Sequence, residues 1–360
     1  MKSLLQRKNY QDTSFITGMR AFAAIAVVVI HSGGAGLREF GYFGNIIADF
    51  GRAGVYAFLV ISGYSVAVSY EKSGGFGDYI KKRLWRIVPL YYFWIIICIF
   101  SGLTATYWQS EFNSEIDAWN VIAHILFISY IDYTIANTII GVEWSIPIEV
   151  FWYFLVPPML HMTRSPQKTL FVLVLSFLIH RIFMQHPDVL PVNEEHAAIA
   201  MSWSPIPYVF SYALGVSVYR FRSFINRTSL ISGLSMIAVV LLLFFYFFSQ
   251  ENVLFIFHDQ FIFTSIITAI LVLLGTDGNV MFRLFFCTRL VQHLGIISYG
   301  IYLSHMPIIS ALGEINPAFK EHSLILFSIA LLLSIFISSF TYVIIEKQSM
   351  AIGFRGKRLY

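Results

Sequence analysis

Residues 14–35 read SFITGMRAFAAIAVVVIHSGGA, an apolar run long enough to cross a membrane as a helix. A membrane span needs about 20 largely apolar residues, because a helix rises about 1.5 Å per residue and the hydrocarbon core is about 30 Å thick. The run follows a polar segment and has no small-residue cleavage site after it. We therefore expect a retained first span rather than a signal peptide.

The composition of the whole chain agrees with this interpretation. Of the 360 residues, 57% are hydrophobic and 12% are charged, against roughly 25% charged residues in a soluble domain. Because apolar runs recur throughout, we predict an all-α polytopic membrane protein formed by one domain, residues 1–360. The ten predicted spans are about 14–35, 51–70, 85–106, 143–162, 167–185, 205–221, 229–249, 259–276, 292–313 and 323–345. The shorter apolar segment 119–131 is predicted to be interfacial or re-entrant.

The distribution of positive charge predicts the orientation. Most of the 24 Lys and Arg residues fall on one set of loops and ends, and the opposite set holds only Arg38, Arg52 and Lys320. Because positively charged loops stay on the cytoplasmic side, both termini are expected to be cytoplasmic, in a bacterial inner membrane. The same loop charges explain the net charge of +4, so nucleic acid is not an expected partner. The sequence does not predict an oligomeric state.

Two ionisable side chains, Arg20 and His31, lie within the first predicted span. Their separation brings a helix back to within ~20° of the same face and places them ~16.5 Å apart along the axis. An ionisable group at membrane depth costs several kcal/mol and is a functional candidate by default. The structural alternative is an arginine that extends toward the interface and a histidine buried against a neighbouring helix.

A basic cluster begins the third predicted span, in the segment YIKKRLWRIVPLYY at 79–92. Helical spacing places Lys82, Arg83 and Arg86 on one side of the helix end. Arginine is suited to phosphate by its planar fork of donors, so the cluster is a candidate phosphate site. The alternative is ordinary cytoplasmic loop charge.

Polar residues also lie inside three other predicted spans. Ser62 and Gly63 lie near mid-depth of the second, where close helix packing is the simplest interpretation. Glu149 in the fourth is costly unless it is paired, in a structural bond or in a site, and Ser145 shares its face. In the ninth span a polar stripe is predicted, which either packs or binds substrate; it comprises Ser298, Tyr302 and His305.

Together these elements resemble the acyltransferase type 3 family of membrane carbohydrate O-acyltransferases. The match runs in order through nearly the whole chain. The matching residues are Arg20 and His31; Ser62 and Gly63; the basic segment 79–92; Trp144, Ser145 and Glu149; and Ser298, Tyr299, Tyr302, Leu303 and His305. One departure is that the fourth-span element reads WSIPIE at 144–149, where the family commonly has a Val-Glu pair, and we expect the extra proline, Pro147, to alter the local helix geometry. The chain looks like the stand-alone form of the family.

The resemblance implies transfer of an acyl group, usually acetyl from acetyl-CoA, to a hydroxyl of a surface or secreted glycan or its lipid-linked precursor. It implies no metal. In this interpretation Arg20, Lys82, Arg83 and Arg86 bind the CoA phosphates and His31 is the general base. Glu149 orients His31 or holds it in one tautomer. The residues expected to bind the sugar or the developing oxyanion are Ser62, Trp144, Ser145, Tyr302 and His305.

Alternatives remain open at this point. A glycolipid flippase or exporter without acyl chemistry would use the aligned Arg20 and His31 as a substrate path. A glycan polymerase would act on a lipid-linked sugar, and it would usually carry a larger outward loop. A succinyl or longer acyl donor is not distinguished from acetyl by the sequence. Direct transfer, which we favour, and a transient acyl-histidine are both compatible with the residues.

Overall fold

The computed structural model describes residues 13–222, 239, 259–277 and 280–354, and the regular structure of these residues is helical. The α-helices before residue 222 are α1 (Ser14–His31), α2 (Gly41–Asp49), α3 (Ala53–Glu71), α4 (Phe76–Ser101), α5 (Thr106–Glu111), α6 (Ala118–Ile125), α7 (Ser145–Met162), α8 (Pro166–Gln185), α9 (Glu194–Ser202) and α10 (Val209–Phe221). Those after residue 259 are α11 (Gln260–Asp277), α12 (Val280–Phe286), α13 (Arg289–Ile296), α14 (Ser298–Ile315), α15 (Ser323–Thr341) and α16 (Lys347–Phe354).

Several of these helices are long and apolar enough to cross a membrane. The described residues contain five such stretches: Ser14–His31, Leu37–Glu71, Phe76–Ser101, Pro166–Gln185 and Ser323–Gly353. Helices α13 and α14 meet at a bend of 66° and make a sixth if they form one broken span. The chain is therefore a multi-pass, all-helical membrane protein in the part that the structure describes.

The predicted spans and the observed helices agree closely at several positions and differ at others. The predicted span 229–249 lies outside the described residues, apart from Val239. Helix α6 covers much of the segment 119–131 with eight residues, about 12 Å, which is too short to cross a membrane. Pro147 does not break α7, because it lies in the first turn, where a missing N–H removes no intrahelical bond.

Helix α4 begins at Phe76, earlier than the predicted start at 85, so the whole basic cluster lies on the helix. Lys and Arg are good helix formers, and an apolar criterion for a span does not detect them. The helix ends at Gly102, which has a φ of 73° and therefore stops the helix in the left-handed conformation. The consequence is that the cluster has a fixed helical geometry.

The end of α1 fixes the position of His31. Gly33 has a φ of 74°, and the N–H of Gly34 donates to the carbonyl of Val29 at 2.9 Å. This is the six-residue hydrogen bond of a Schellman turn, with glycine at its left-handed position. His31 is thus the last residue of α1, and its side chain is exposed.

Glycines allow α3 to lie unusually close to two neighbouring helices. A Cβ atom on Gly54 would be 2.3 Å from the carbonyl oxygen of Ala23 in α1. A Cβ atom on Gly63 would be 2.7 Å from the carbonyl oxygen of Tyr212 in α10. Both distances are shorter than a real Cβ contact, so only glycine fits. The packing interpretation of Gly63 is confirmed, and α3 lies between α1 and α10 at the centre of the protein.

Candidate active site

Three arginines from two helices line one cavity. Arg20 comes from α1, and Arg83 and Arg86 come from α4. The cavity has a volume of ≈ 220 Å³, and its other lining residues are Thr13, Ile16, Thr17, Ser65 and Val68. We call this space the arginine cavity.

Ser65 on α3 holds two of these arginines in place. Its hydroxyl accepts a hydrogen bond from Nη2 of Arg20 at 3.0 Å, and its carbonyl oxygen accepts one from Nη2 of Arg83 at 2.5 Å. The Arg83 guanidinium also lies 5.6 Å from the centroid of the Tyr153 ring, within cation–π range. Both guanidiniums are therefore oriented before any ligand arrives.

The charge of the arginine cavity suits an anion. Within the described part of the chain, neither Arg20, Arg83 nor Arg86 has a carboxylate oxygen within the 4.0 Å that defines an ion pair. Arg83 is only 7% exposed, so its charge is poorly screened by water. Like charges this close repel one another, and a phosphate group would neutralise them through charge-assisted hydrogen bonds.

Lys82, the fourth predicted phosphate-binding residue, has a different partner. Its Nζ lies 2.7 Å from Oδ2 of Asp78, one helical turn earlier on α4. Its side chain retains 19% exposure, more than the nearly buried Arg83. The structure therefore brings together three of the four predicted cations and directs the fourth toward an acidic neighbour.

A second, deeper cavity shares the three arginines and extends between α3, α4, α7 and α14. It has a volume of ≈ 70 Å³, and we call it the deep cavity. Beyond the arginines it is lined by Val55, Phe58, Leu59, Ser62, Ile87, Ser145, Ile146, Glu149, Tyr153, Ser298, Tyr299 and Tyr302. Of the predicted site residues, Arg20, Arg83, Arg86, Ser62, Ser145, Glu149 and Tyr302 thus line one space.

Glu149 accepts two hydrogen bonds inside the deep cavity. Its Oε1 accepts hydrogen bonds from the hydroxyl groups of Ser62 and Tyr153, each at 2.8 Å. These bonds do not involve His31, whose Nδ1 is hydrogen-bonded to His305. The carboxylate instead joins α3 to α7 and places a negative charge near the three arginines.

Ser145 and Tyr302 form a hydrogen-bonded pair at the end of the deep cavity. The Tyr302 hydroxyl donates to the carbonyl oxygen of Val142 at 2.8 Å and lies 2.8 Å from the Ser145 hydroxyl. Since the single Tyr302 proton goes to a carbonyl, which can only accept, Ser145 must donate to Tyr302. Both hydroxyl protons are thus used in hydrogen bonds within the protein.

His305 on α14 is the residue that contacts His31. The Nδ1 of His31 lies 2.8 Å from Nε2 of His305, and Nδ1 of His305 lies 3.2 Å from the carbonyl oxygen of Ile301. The carbonyl can only accept, so the proton of a neutral His305 is on Nδ1, and its Nε2 accepts from Nδ1 of His31. The lone pair of a neutral His31 is then on Nε2, the nitrogen that a general base requires.

Burial distinguishes the two histidines. His305 is 0% exposed, whereas His31 is exposed at the end of α1. Tyr302 lies one helical turn from His305, with ring centroids 6.0 Å apart. The histidine pair therefore lies next to the end of the deep cavity, and His31 is its exposed member.

Trp144 and Glu143 directly precede α7 and line neither cavity. Trp144 packs against Tyr208, with ring centroids 6.1 Å apart. Glu143 is 0% exposed, and its carboxylate accepts the backbone N–H groups of Ile139, Gly141 and Val142 at 2.5–3.0 Å. It fixes the loop whose Val142 carbonyl holds Tyr302.

Two residues that contribute to the site were not predicted from the sequence. Tyr153 follows Glu149 by one helical turn, and this spacing could have revealed the contact. Ser65 follows the Ser62 position on α3, but nothing in the sequence indicates that it bonds to residues of both α1 and α4.

Comparison with known proteins decides which class of protein carries this site. A family model described as an acyltransferase domain matches residues 13–343. The chain belongs to this acyltransferase family. It is an enzyme that acts as an O-acyltransferase, and a flippase or exporter without acyl chemistry is correspondingly disfavoured.

Three named relatives share about a quarter of their aligned residues with the chain. A putative acetyltransferase, ORF330, of Acidianus two-tailed virus is 24% identical over 88% of each chain. The O-acetyltransferase OatA of Staphylococcus aureus is 24% identical over 95% of this chain, and the putative peptidoglycan O-acetyltransferase YrhL of Bacillus subtilis is 25% identical over 95%. The matches cover 58% of OatA and 55% of YrhL. No solved structure matches the chain.

Proposed function

We propose that this membrane O-acyltransferase moves an acetyl group from acetyl-CoA to a hydroxyl of a surface or secreted glycan, or of its lipid-linked precursor. The observation that carries the proposal is the continuity of the site. Three arginines line the deep cavity, and the histidine pair lies beside Tyr302, which lines the same cavity. Relatives named as O-acetyltransferases, one of them for peptidoglycan, support the acetyl donor and the glycan acceptor.

The dimensions of the site support a CoA thioester as donor. The phosphates of CoA would be bound by Arg20, Arg83 and Arg86. Along α3, the distance from Ser65 at the arginines to Val55 at the far end is about 15 Å by helical rise. An extended pantetheine arm is a narrow chain of similar length, so it would place the thioester near the histidine pair.

The chemistry follows from the proton positions. Nε2 of His31 takes the proton of the acceptor hydroxyl as its oxygen attacks the thioester carbonyl. The C–S bond then breaks, and the thiolate of CoA receives the proton from the His31 imidazolium. The products are an O-acetylated acceptor and CoA, and no covalent enzyme intermediate is required. The hydrogen bond to His305 holds His31 in the tautomer that can act.

The proposed topology places donor and acceptor on opposite sides. With ten spans and both termini in the cytoplasm of a bacterial inner membrane, the arginine cavity faces the cytoplasm, where acetyl-CoA is made. His31 at the other end of α1 then faces outward, where the exported glycan is found. The predominance of basic residues in one set of loops supports this orientation.

Reconstituted protein tests the function directly. Purified protein in liposomes receives radiolabelled acetyl-CoA and lipid-linked glycans isolated from bacterial membranes, and labelled glycan is measured. We expect transfer by the natural protein, at least about 100-fold less by His31→Ala, and unchanged transfer by the control His186→Ala, an exposed histidine in a loop. Undiminished transfer by His31→Ala would contradict the assignment of the base. Absence of acetyl-CoA binding to the natural protein would contradict the donor.

A further inference from the structure

The far end of the deep cavity has apolar walls. It is formed by Val55, Phe58 and Leu59 on α3 and by Ile146 on α7. The polar groups at this end are Ser145 and Tyr302, whose hydroxyl protons are both used within the protein. A group that enters this end therefore meets hydrocarbon and aromatic surface.

These walls are held in position by packing. The rings of Phe58 and Tyr302 meet edge to face, with centroids 6.1 Å apart. Phe58 also packs against a buried cluster formed by Ala24, Val28, Ile297 and Ile301. Leu59 and Ile146 are each 3% exposed. Because such interiors are close-packed, the walls have little room to withdraw.

The available space is small. A water molecule needs roughly 10–15 Å³ of such volume, so the deep cavity of ≈ 70 Å³ holds about five. The space beside the Phe58 ring is only part of this volume, so it suits a methyl group better than a propyl chain.

We propose that Phe58, together with Val55 and Leu59, limits the acyl group to acetyl. The inference rests on the proposed function, because it assumes that the deep cavity holds the pantetheine arm of an acyl-CoA. Longer straight chains meet the Phe58 ring. Succinyl meets the same ring, and its carboxylate would also lose hydration against the apolar walls at this end of the cavity.

Donor binding tests the limit without knowledge of the acceptor. The affinities of CoA, acetyl-CoA, butyryl-CoA and succinyl-CoA for purified protein in nanodiscs are measured by calorimetry. One methylene in such a pocket changes recognition by about 10–200-fold, so natural protein should bind butyryl-CoA at least about 10-fold more weakly than acetyl-CoA. Phe58→Ala should remove most of that difference and leave the affinity for free CoA unchanged.

Two further variants keep the test decisive. Phe22→Ala is the matched control, because Phe22 is 39% exposed on α1 and stacks on Phe285 outside both cavities. It should retain the discrimination of the natural protein. Leu59→Ala should relax it, and this variant replaces Phe58→Ala if the latter does not fold.

The outcomes separate this inference from the proposed function. Equal binding of acetyl-CoA and butyryl-CoA by the natural protein overturns the length limit while the donor assignment stands. The length limit is also overturned if Phe58→Ala and Leu59→Ala leave the ratio of the acetyl-CoA and butyryl-CoA affinities unchanged. Failure of the natural protein to bind any CoA thioester overturns both.

Discussion

Nδ1 of His31 lies 2.8 Å from Nε2 of His305, although the two residues are 274 positions apart in the chain. One ring is exposed at the end of α1, and the other is fully buried in α14. The buried ring is anchored to the carbonyl of Ile301 and so has a fixed proton position. Nε2 of His305 therefore accepts a hydrogen bond from Nδ1 of His31, and Nε2 of His31 carries the lone pair.

Replacement of His305 should impair the chemical step rather than donor binding. We expect His305→Ala to lower kcat about 10–100-fold, a part of the full contribution of a general base, with KM for acetyl-CoA unchanged. His305→Gln should restore part of the rate, because its amide oxygen can accept a hydrogen bond from the Nδ1–H group of His31. Steady-state kinetics on reconstituted protein measure both values. Equal losses in the Ala and Gln variants would argue that position 305 only fills space.

The three arginines should contribute to donor affinity and Lys82 should not. Loss of a charge-assisted hydrogen bond costs about 1.5–3 kcal/mol, so Arg20→Gln or Arg86→Gln should weaken CoA binding about 10–100-fold. Lys82→Gln is the matched control, since its ammonium is engaged with Asp78 on the same helix. Its effect should be less than about threefold. Calorimetry with free CoA measures each value, and a large loss in Lys82→Gln would contradict the arrangement described.

Glu149 should be required for stability as a hydrogen-bond acceptor. In Glu149→Gln the amide oxygen can still accept from Ser62 and Tyr153, and the change in free energy of unfolding should be small. In Glu149→Leu both hydroxyls lose their acceptor inside the protein, at a cost of about 1–3 kcal/mol each. Thermal unfolding in detergent compares the two variants. Similar melting temperatures would show that these two bonds contribute little to stability.

The close contact of α3 with α1 should tolerate no added methyl group. Gly54→Ala places a Cβ 2.3 Å from the Ala23 carbonyl oxygen, which requires the helices to separate. We expect a loss of stability of about 1–3 kcal/mol, as for other overpacked sites. Gly77→Ala on α4 is the control, because its Cβ would meet nothing within 4 Å. It should raise stability by about 0.4–1 kcal/mol, as measured by the same unfolding assay.

The residues that share one face of a single helix could be predicted from the sequence with good accuracy. The alignment of Arg20 with His31 follows from helical geometry alone, and the structure places Arg20 at the arginine cavity and His31 beside the far end of the deep cavity. The i, i+4, i+7 stripe on α14 likewise places Tyr302 and His305 toward the interior. Such patterns show which face of a helix is polar.

Contacts between helices could not be predicted in this way. No periodicity indicates that α14 lies against the end of α1, so His305 was expected to contact substrate and Glu149 was expected to contact His31. The pairing of Lys82 was accessible in principle, because Asp78 precedes it by one helical turn. The role of Glu143 could not be predicted either, because a buried carboxylate that accepts backbone N–H groups has no periodic signature.

Ser65 anchors two arginines by chemically different means, and this has a consequence for divergence among related enzymes. Its carbonyl, which holds Arg83, is present whatever residue occupies the position, whereas its hydroxyl, which holds Arg20, depends on the side chain. A substitution at position 65 would remove the hydrogen bond to Arg20 and keep the one to Arg83. A single mutation at this position would thus lower the affinity for the donor without removing the whole binding site.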